Sequence, residues 1–216
     1  MPSADRAPRH ESALARTHAY GQERLSPVDR FGVWLSRRQV LRWIPHLQGK
    51  VIGDFGCGFH ALLASSFLGE VAGAYLSDVS LSPALKANPK VVALEGMLPR
   101  TVEAIPSDSL DIVFCLSVVE HLEQPDEMLR QIRRVLTPGG FALVNVPSWR
   151  GKFFLEFSAF RLGLSPAAEM DDHKQYYDVR DLWPKLVAAG FKPSRIRCFT
   201  HKFGLNTFAV CRKSPA

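Results

Sequence analysis

The 216-residue sequence predicts an α/β fold, a mostly parallel sheet with helices on both faces, from three observations. Short runs rich in Val, Ile, Leu and Phe alternate with longer segments whose apolar residues recur at helical spacing. One of those runs, Leu110 to Leu116, is apolar at almost every position, as expected of a strand covered on both faces. The first run, Val51 to Asp54, breaks into the glycine turn Phe-Gly56-Cys57-Gly58-Phe-His60 and then into the helix-like stretch from Ala61 to Leu68. The glycines let backbone pass close to a ligand, and the helix that follows presents free N–H groups there.

Totals narrow the class. Apolar residues make up 46% of the chain and charged residues 22%, which fits a globular protein long enough to bury a full core. No apolar run approaches the ~20 residues needed to cross a bilayer, and the Arg-dotted N-terminus lacks the apolar stretch of a signal peptide, so a cytoplasmic location is expected. Cys57, Cys115, Cys198 and Cys211 show no Cys-x-x-Cys spacing and read as reduced core or site residues. The formal charge of +6 is unevenly spread: residues 1–50 carry +5, residues 51–148 carry −5 and residues 149–216 carry +6. Basic flanks that framed one mouth would favour an anionic substrate or an anionic membrane surface; the alternative is solvated faces and tails.

In chain order, residues 1–47 form an N-terminal helical segment whose first nine residues are expected to be disordered. His10 to Arg24 suits a short helix. Ser26-Pro27 is a stronger start, with Ser26 as N-cap, and the apolar positions Trp34, Leu35, Leu41, Ile44 and Leu47 follow until Pro45 and Gly49 punctuate the end. Residues 48–216 form the main domain. After its first βα unit, Glu70 to Ser80 holds a second strand ending at Asp78 and Val79. Lys90 to Leu94 is a third strand, followed by Glu95-Gly96-Met97-Leu98. The fourth runs into Ser117-Val-Val-Glu120-His121-Leu122, and Pro125-Asp126 opens a helix with apolar positions Met128, Leu129, Ile132, Val135 and Leu136. Thr137-Pro-Gly-Gly140 ends that helix and Phe141 to Val146 is the fifth strand. Residues 148–177 fit no regular step: aromatics alternate with Arg150, Lys152 and Arg161, and Asp171-Asp-His173-Lys-Gln-Tyr176-Tyr177 follows. Asp181 is the expected N-cap of a last helix stopped by Gly190, and two strands joined at His201-Lys202 close the chain.

Charge selects the ligand of the glycine turn. A pyrophosphate would be repelled by Asp54, whereas S-adenosylmethionine carries an ammonium and a sulfonium and no phosphate. Asp78 lies twenty positions past Gly58, the separation at which a strand-end carboxylate reaches ribose hydroxyls. The alternative for Asp78 is a cap for the helix at Ser82-Pro83.

Asp54-x-Gly56-x-Gly58, together with Glu120-His121-Leu122 after the fourth strand and Leu136-x-Pro138-Gly139-Gly140 before the fifth, resembles the class I S-adenosylmethionine-dependent methyltransferases of the small-molecule type, with a methyltransferase type 11/12-like domain. His60 stands where that family usually has a third glycine. The resemblance covers roughly residues 48 to 148. It implies a Rossmann-like, seven-stranded, mostly parallel sheet with an antiparallel C-terminal strand pair, and S-adenosylmethionine as cofactor. It implies a cofactor pocket formed by Asp54, Gly56, Cys57, Gly58, Asp78, Val79, Met97, Leu98, Ser117 and Glu120. It also implies an N-terminal helix across the mouth, the alternative being a packing helix without ligand contact. An insertion at 148–177 that builds the acceptor site is implied too, with Trp149, Arg150 and Tyr176 as substrate residues, the alternative being a hydrophobic helix hairpin that extends the core. Because strand-end loops bind ligands in such sheets, His121 is a candidate general base, with His173 a rival; its alternative is packing or shielding of the pocket. No third ligand accompanies Glu120-His121, so no metal is assigned.

The expected reaction is methyl transfer to a small-molecule, glycan or lipid-linked acceptor, most readily on oxygen, with anionic acceptors favoured and peripheral membrane contact open through the basic flanks. An RNA-modifying enzyme using Arg130, Arg133 and Arg134, a non-catalytic partner protein of the same fold, and a dehydrogenase are the rival readings. Nucleic acid is not the expected partner, because no separate RNA-binding module is visible. Neither the acceptor nor the oligomeric state is legible.

Overall fold

A computed structural model describes residues 19–22, 27–152 and 175–215, the side chains of 27–29 excepted. The expectations for residues 1–9, for Ser26 and for most of 148–177, including His173, lie outside the described residues.

Helix α1 (Pro27–Trp43) opens at proline, whose missing N–H would be unpaired at that position anyway. The strands are β1 (Val51–Phe55), β2 (Gly73–Asp78), β3 (Val91–Glu95), β4 (Leu110–Leu116), β5 (Leu136–Pro147), β6 (Ile196–His201) and β7 (Asn206–Arg212). They form one seven-stranded sheet in the order β3-β2-β1-β4-β5-β7-β6, parallel from β3 to β5, with β7 antiparallel to both neighbours. Between the strands lie the single turns α2 (Leu62–Ser65), α3 (Pro83–Lys86) and α4 (Arg100–Glu103) and the longer helices α5 (Pro125–Val135) and α6 (Val179–Ala188). This is the Rossmann-like architecture with the antiparallel end pair.

Alternation along the strands divides the core in two. Val113, Cys115, Val144, Val146 and Ala209 pack on one face with Met128, Leu129 and Ile132 of α5 and Leu182 and Leu186 of α6. Ile112, Phe114, Leu143, Phe208 and Val210 pack on the other with Val40 of α1 and with Ile44 and Leu47 just beyond it. The chain moves outward from β1 to β3 and returns to β4 on the far side of β1, so the switch point lies between β1 and β4, where such sheets hold ligands at their strand tips. Among the described residues, no helix is long and apolar enough to cross a membrane.

Four local expectations are corrected. The helix expected to run to Arg24 does not include residues 19–22, which form a turn closed by the Gln22 amide on the Ala19 carbonyl (3.3 Å). The helix expected over Ala61 to Leu68 is regular only for Leu62–Ser65. Ala61 is left-handed (φ 43°), and the Ser65 and Ser66 hydroxyls donate to the His60 and Leu63 carbonyls, competing with the helical ladder. The N-cap of α6 is Asp178 rather than Asp181, which sits three residues inside and accepts the Asp178 amide at 2.9 Å. Thr137 to Gly140 does not end α5 in a turn; β5 already begins at Leu136, which pairs with Leu110 before the register shifts.

Candidate functional site

Asp54 is the penultimate residue of β1 and Asp78 the last of β2, on adjacent strands. Asp54 is only 4% exposed; burial pushes its carboxyl from 3.8 up to about 7, the Ala64 amide opposes, and the negative charge of Asp78 adds to the rise. Asp78 accepts the Gly58 amide on one oxygen and the Val79 amide on the other, both at 2.8 Å. Each carboxylate oxygen keeps further accepting capacity toward the cleft. Cys57, between the glycines, has its thiol pushed well above its ordinary value by burial and then by Asp54 and Asp78, which keeps it neutral.

The glycines have separate reasons. Gly56 (φ 72°) donates its amide to the Ser77 carbonyl at 2.7 Å, and a Cβ there would come within 2.3 Å of Val118 Cγ2. Gly58 (φ 76°) lies under the turn at 19–22: its Cβ position is 3.0 Å from the Tyr20 carbonyl, which accepts the Phe59 amide at 2.9 Å. Sequence reading missed Tyr20, because nothing local pairs a turn at residue 20 with a loop at residue 58.

The third strand tip divides its two candidates. Met97 is 48% exposed, while Leu98 is partly buried against the core. Glu95, beside them, accepts the Leu81 amide at 2.7 Å and pairs with Lys86 at 3.1 Å; both hold its carboxyl below the usual range.

At the tip of β4, Ser117 is left-handed (φ 58°), donates its amide to the Asn145 carbonyl at 2.7 Å and accepts the Asn145 side-chain amide at 3.1 Å. Glu120 and His121 belong to a short 3-10 turn, Val119–His121. Glu120 is 1% exposed and its carbonyl accepts the Gln175 amide at 3.3 Å; His121 is half-buried. The chain after β5 adds Trp149 and, from beyond the undescribed stretch, Tyr176: their rings lie 5.6 Å apart, with the Lys152 ammonium 5.6 Å from each. Arg150 is exposed beside Gly204.

Two further groups at this edge escaped sequence reading. Lys202, left-handed (φ 48°) in the β6–β7 turn, is half-buried; burial lowers its pKa and the Glu120 charge opposes. His201 is held neutral, its pKa lowered to about 4 by burial and by Lys202, and its Nε2 is buried with no hydrogen-bond partner. The signal for Asn145 was present, as the one polar residue in Phe141 to Val146. For Lys202 there was none, since only the antiparallel return of β6 and β7 brings that turn to the same edge as the tips of β4 and β5.

Residues 53–144 match the family described as "Methyltransferase domain". The chain is 28% identical over 126 residues to the ubiquinone biosynthesis O-methyltransferase of Paraburkholderia phytofirmans, covering 53% of each, so the matched stretch spans about half the length of that relative. It is 29% identical over 198 residues to the protein of the same name from Paraburkholderia phymatum, covering 80% of this chain and 84% of the relative. Among solved structures it superposes on a SAM-dependent methyltransferase from Archaeoglobus fulgidus with TM-score 0.61 at 14% identity, over 84% of this chain and 94% of that one. The β-strand order, the glycine loop between two acidic strand tips and the family match over residues 53–144, just under half of the chain, agree with a class I S-adenosylmethionine-dependent methyltransferase domain.

Proposed function

We propose that the protein transfers the methyl group of S-adenosylmethionine to a small-molecule, glycan or lipid-linked acceptor, on oxygen. The observation that carries the reading is the pair Asp54 and Asp78 around the glycine loop. A carboxyl as buried as Asp54, with its pKa raised and a second acid beside it, is electrostatically incomplete and is completed by a cationic ligand. A phosphate would worsen the same imbalance.

In this reading Asp54 faces the cofactor's cations, Asp78 accepts its ribose hydroxyls, and Gly56 and Gly58 keep the loop close. Met97 offers apolar surface for the adenine, and Ser117 and Glu120 line the rim. The bound cofactor supplies an already activated methyl group. What remains for the protein is to hold an acceptor atom in line and to take its proton. His121 is the proposed base, with His173 its rival. Trp149, Tyr176 and Arg150 give the acceptor an aromatic and cationic wall, and Lys202 adds a cation suited to an acidic acceptor. Support for oxygen comes from the names of the two Paraburkholderia relatives.

The test is incubation with methyl-labelled S-adenosylmethionine and a metabolite extract, comparing the wild-type protein with His121→Ala. Labelled O-methyl product, lost in a variant that still binds cofactor with wild-type affinity, is expected. Labelled N-methyl or RNA product would overturn the acceptor, and a normal rate in the variant would remove His121 as base.

A further inference from the structure

The outward face of α1 carries exposed aromatics set among arginines. Phe31 and Trp34 are 51% and 48% exposed and stack on each other at 5.6 Å, three residues apart on one stripe. Arg38, one turn further on, covers the Trp34 ring at 5.2 Å. Arg30, Arg38 and Arg42 are all exposed on this helix, and from Arg30 to Trp43 there is no acidic residue. The opposite face carries the half-buried or buried Ser36, Val40 and Ile44 that fix the helix to the sheet.

The placement of this stripe ties it to the mouth. The Lys202 ammonium lies 3.8 Å from the Cβ position of Gly32, so the start of α1 stands beside the β6–β7 turn. That turn carries Phe203, 84% exposed and the most open large apolar side chain described. Because β6 runs parallel to β5, the turn lies at the strand-tip edge that holds Asp54, Ser117 and Glu120.

We infer that α1 and the tip of the β6–β7 turn form a docking face for an anionic lipid surface, with Phe31, Trp34 and Phe203 entering the interfacial layer and Arg30, Arg38 and Arg42 meeting the headgroups. Aromatics set among arginines on a helix whose other face is already buried are what an interfacial helix requires. The charge argues against a second copy: a two-fold contact would bring the same arginines face to face. Single-stranded nucleic acid would need free ring faces, whereas the Trp34 ring already stacks on Phe31 and lies under Arg38. This inference does not depend on which acceptor is methylated.

Sedimentation of the full chain with vesicles tests it, using phosphatidylcholine alone and an equal mixture with phosphatidylglycerol. Partition into the mixed vesicles, falling as salt rises, is expected. Phe31→Ser with Trp34→Ser should lower that partition by about tenfold, and Arg38→Glu with Arg42→Glu should abolish the preference for phosphatidylglycerol. Both variants alter exposed side chains, so cofactor affinity and melting temperature should stay at wild-type values and separate this face from the cofactor site. Absence of the wild-type protein from mixed-vesicle pellets at low salt would overturn the inference, as would equal partition of the aromatic double variant. It would also fall if sedimentation velocity showed a dimer that this variant dissolves, or if the face bound a mixed-sequence oligonucleotide in place of vesicles.

Discussion

At the scale of single residues, the site is set by where Asp54 sits. Folding raises its carboxyl from 3.8 to about 7, so between those values the folded protein holds a proton that the unfolded chain has released. Stability without ligand should therefore fall as pH rises from about 4 to about 7, by at most about 1.4 kcal/mol per pH unit, and Asp54→Asn should flatten that slope in denaturant titrations. A cation bound beside Asp54 favours its ionised form. Binding of S-adenosylmethionine near pH 6 should accordingly release a proton, seen as calorimetric heats that differ between phosphate and imidazole buffers; identical heats would remove Asp54 from the pocket. Asp78 fastens the Gly58 and Val79 amides, and in the proposed pocket it also accepts the ribose hydroxyls. Asp78→Ala should weaken cofactor binding by about 1–3 kcal/mol, and unchanged affinity would reassign it to holding the loop alone.

Elements enter through the glycine loop and the strap behind β5. Gly56 has φ 72° and faces Val118, which precedes the turn carrying Glu120 and His121. Gly56→Ala combines a left-handed alanine with a clash against a buried side chain and should cost about 2–4 kcal/mol in chemical denaturation. Behind β5, the Ser148 hydroxyl donates to the Gly204 carbonyl at 2.8 Å and accepts the Gly151 amide at 3.0 Å, while its own amide donates to the Leu205 carbonyl at 3.0 Å. Ser148 is 2% exposed, so its own hydroxyl and amide have no water to turn to. Ser148→Ala should lower stability by about 1–3 kcal/mol and loosen the β6–β7 turn, read as faster amide exchange at Leu205.

For the molecule as a whole, the two apolar clusters lock the sheet from both sides, while the turn at 19–22 touches the domain through the Tyr20 carbonyl over the glycine loop. In the proposed reading, stability and ligand affinity are thus carried by different parts. Removal of residues 1–26 should leave the cooperative unfolding transition in place and weaken S-adenosylmethionine binding several-fold, because the Phe59 amide loses its acceptor and the loop its cover. A protein that no longer unfolds cooperatively after this removal would show that the segment belongs to the core.

The sequence by itself determined the alternation of strands and helices, the acidic glycine loop and the rim motif at Glu120-His121, because hydrophobic period, glycine freedom and local charge are properties of neighbouring residues. It also carried Asn145, a polar side chain in an apolar strand. It misjudged the helix after Ala61 and the cap of α6, where side-chain oxygens compete with backbone over single turns. Only the tertiary structure decided that Asp54 is buried enough to hold its proton near neutral pH, that Tyr20 covers the glycine loop, and that Lys202 and Phe203 arrive at the ligand edge beside α1. Each of those depends on desolvation or on contacts between segments far apart in the chain, and no local pattern of residues encodes them.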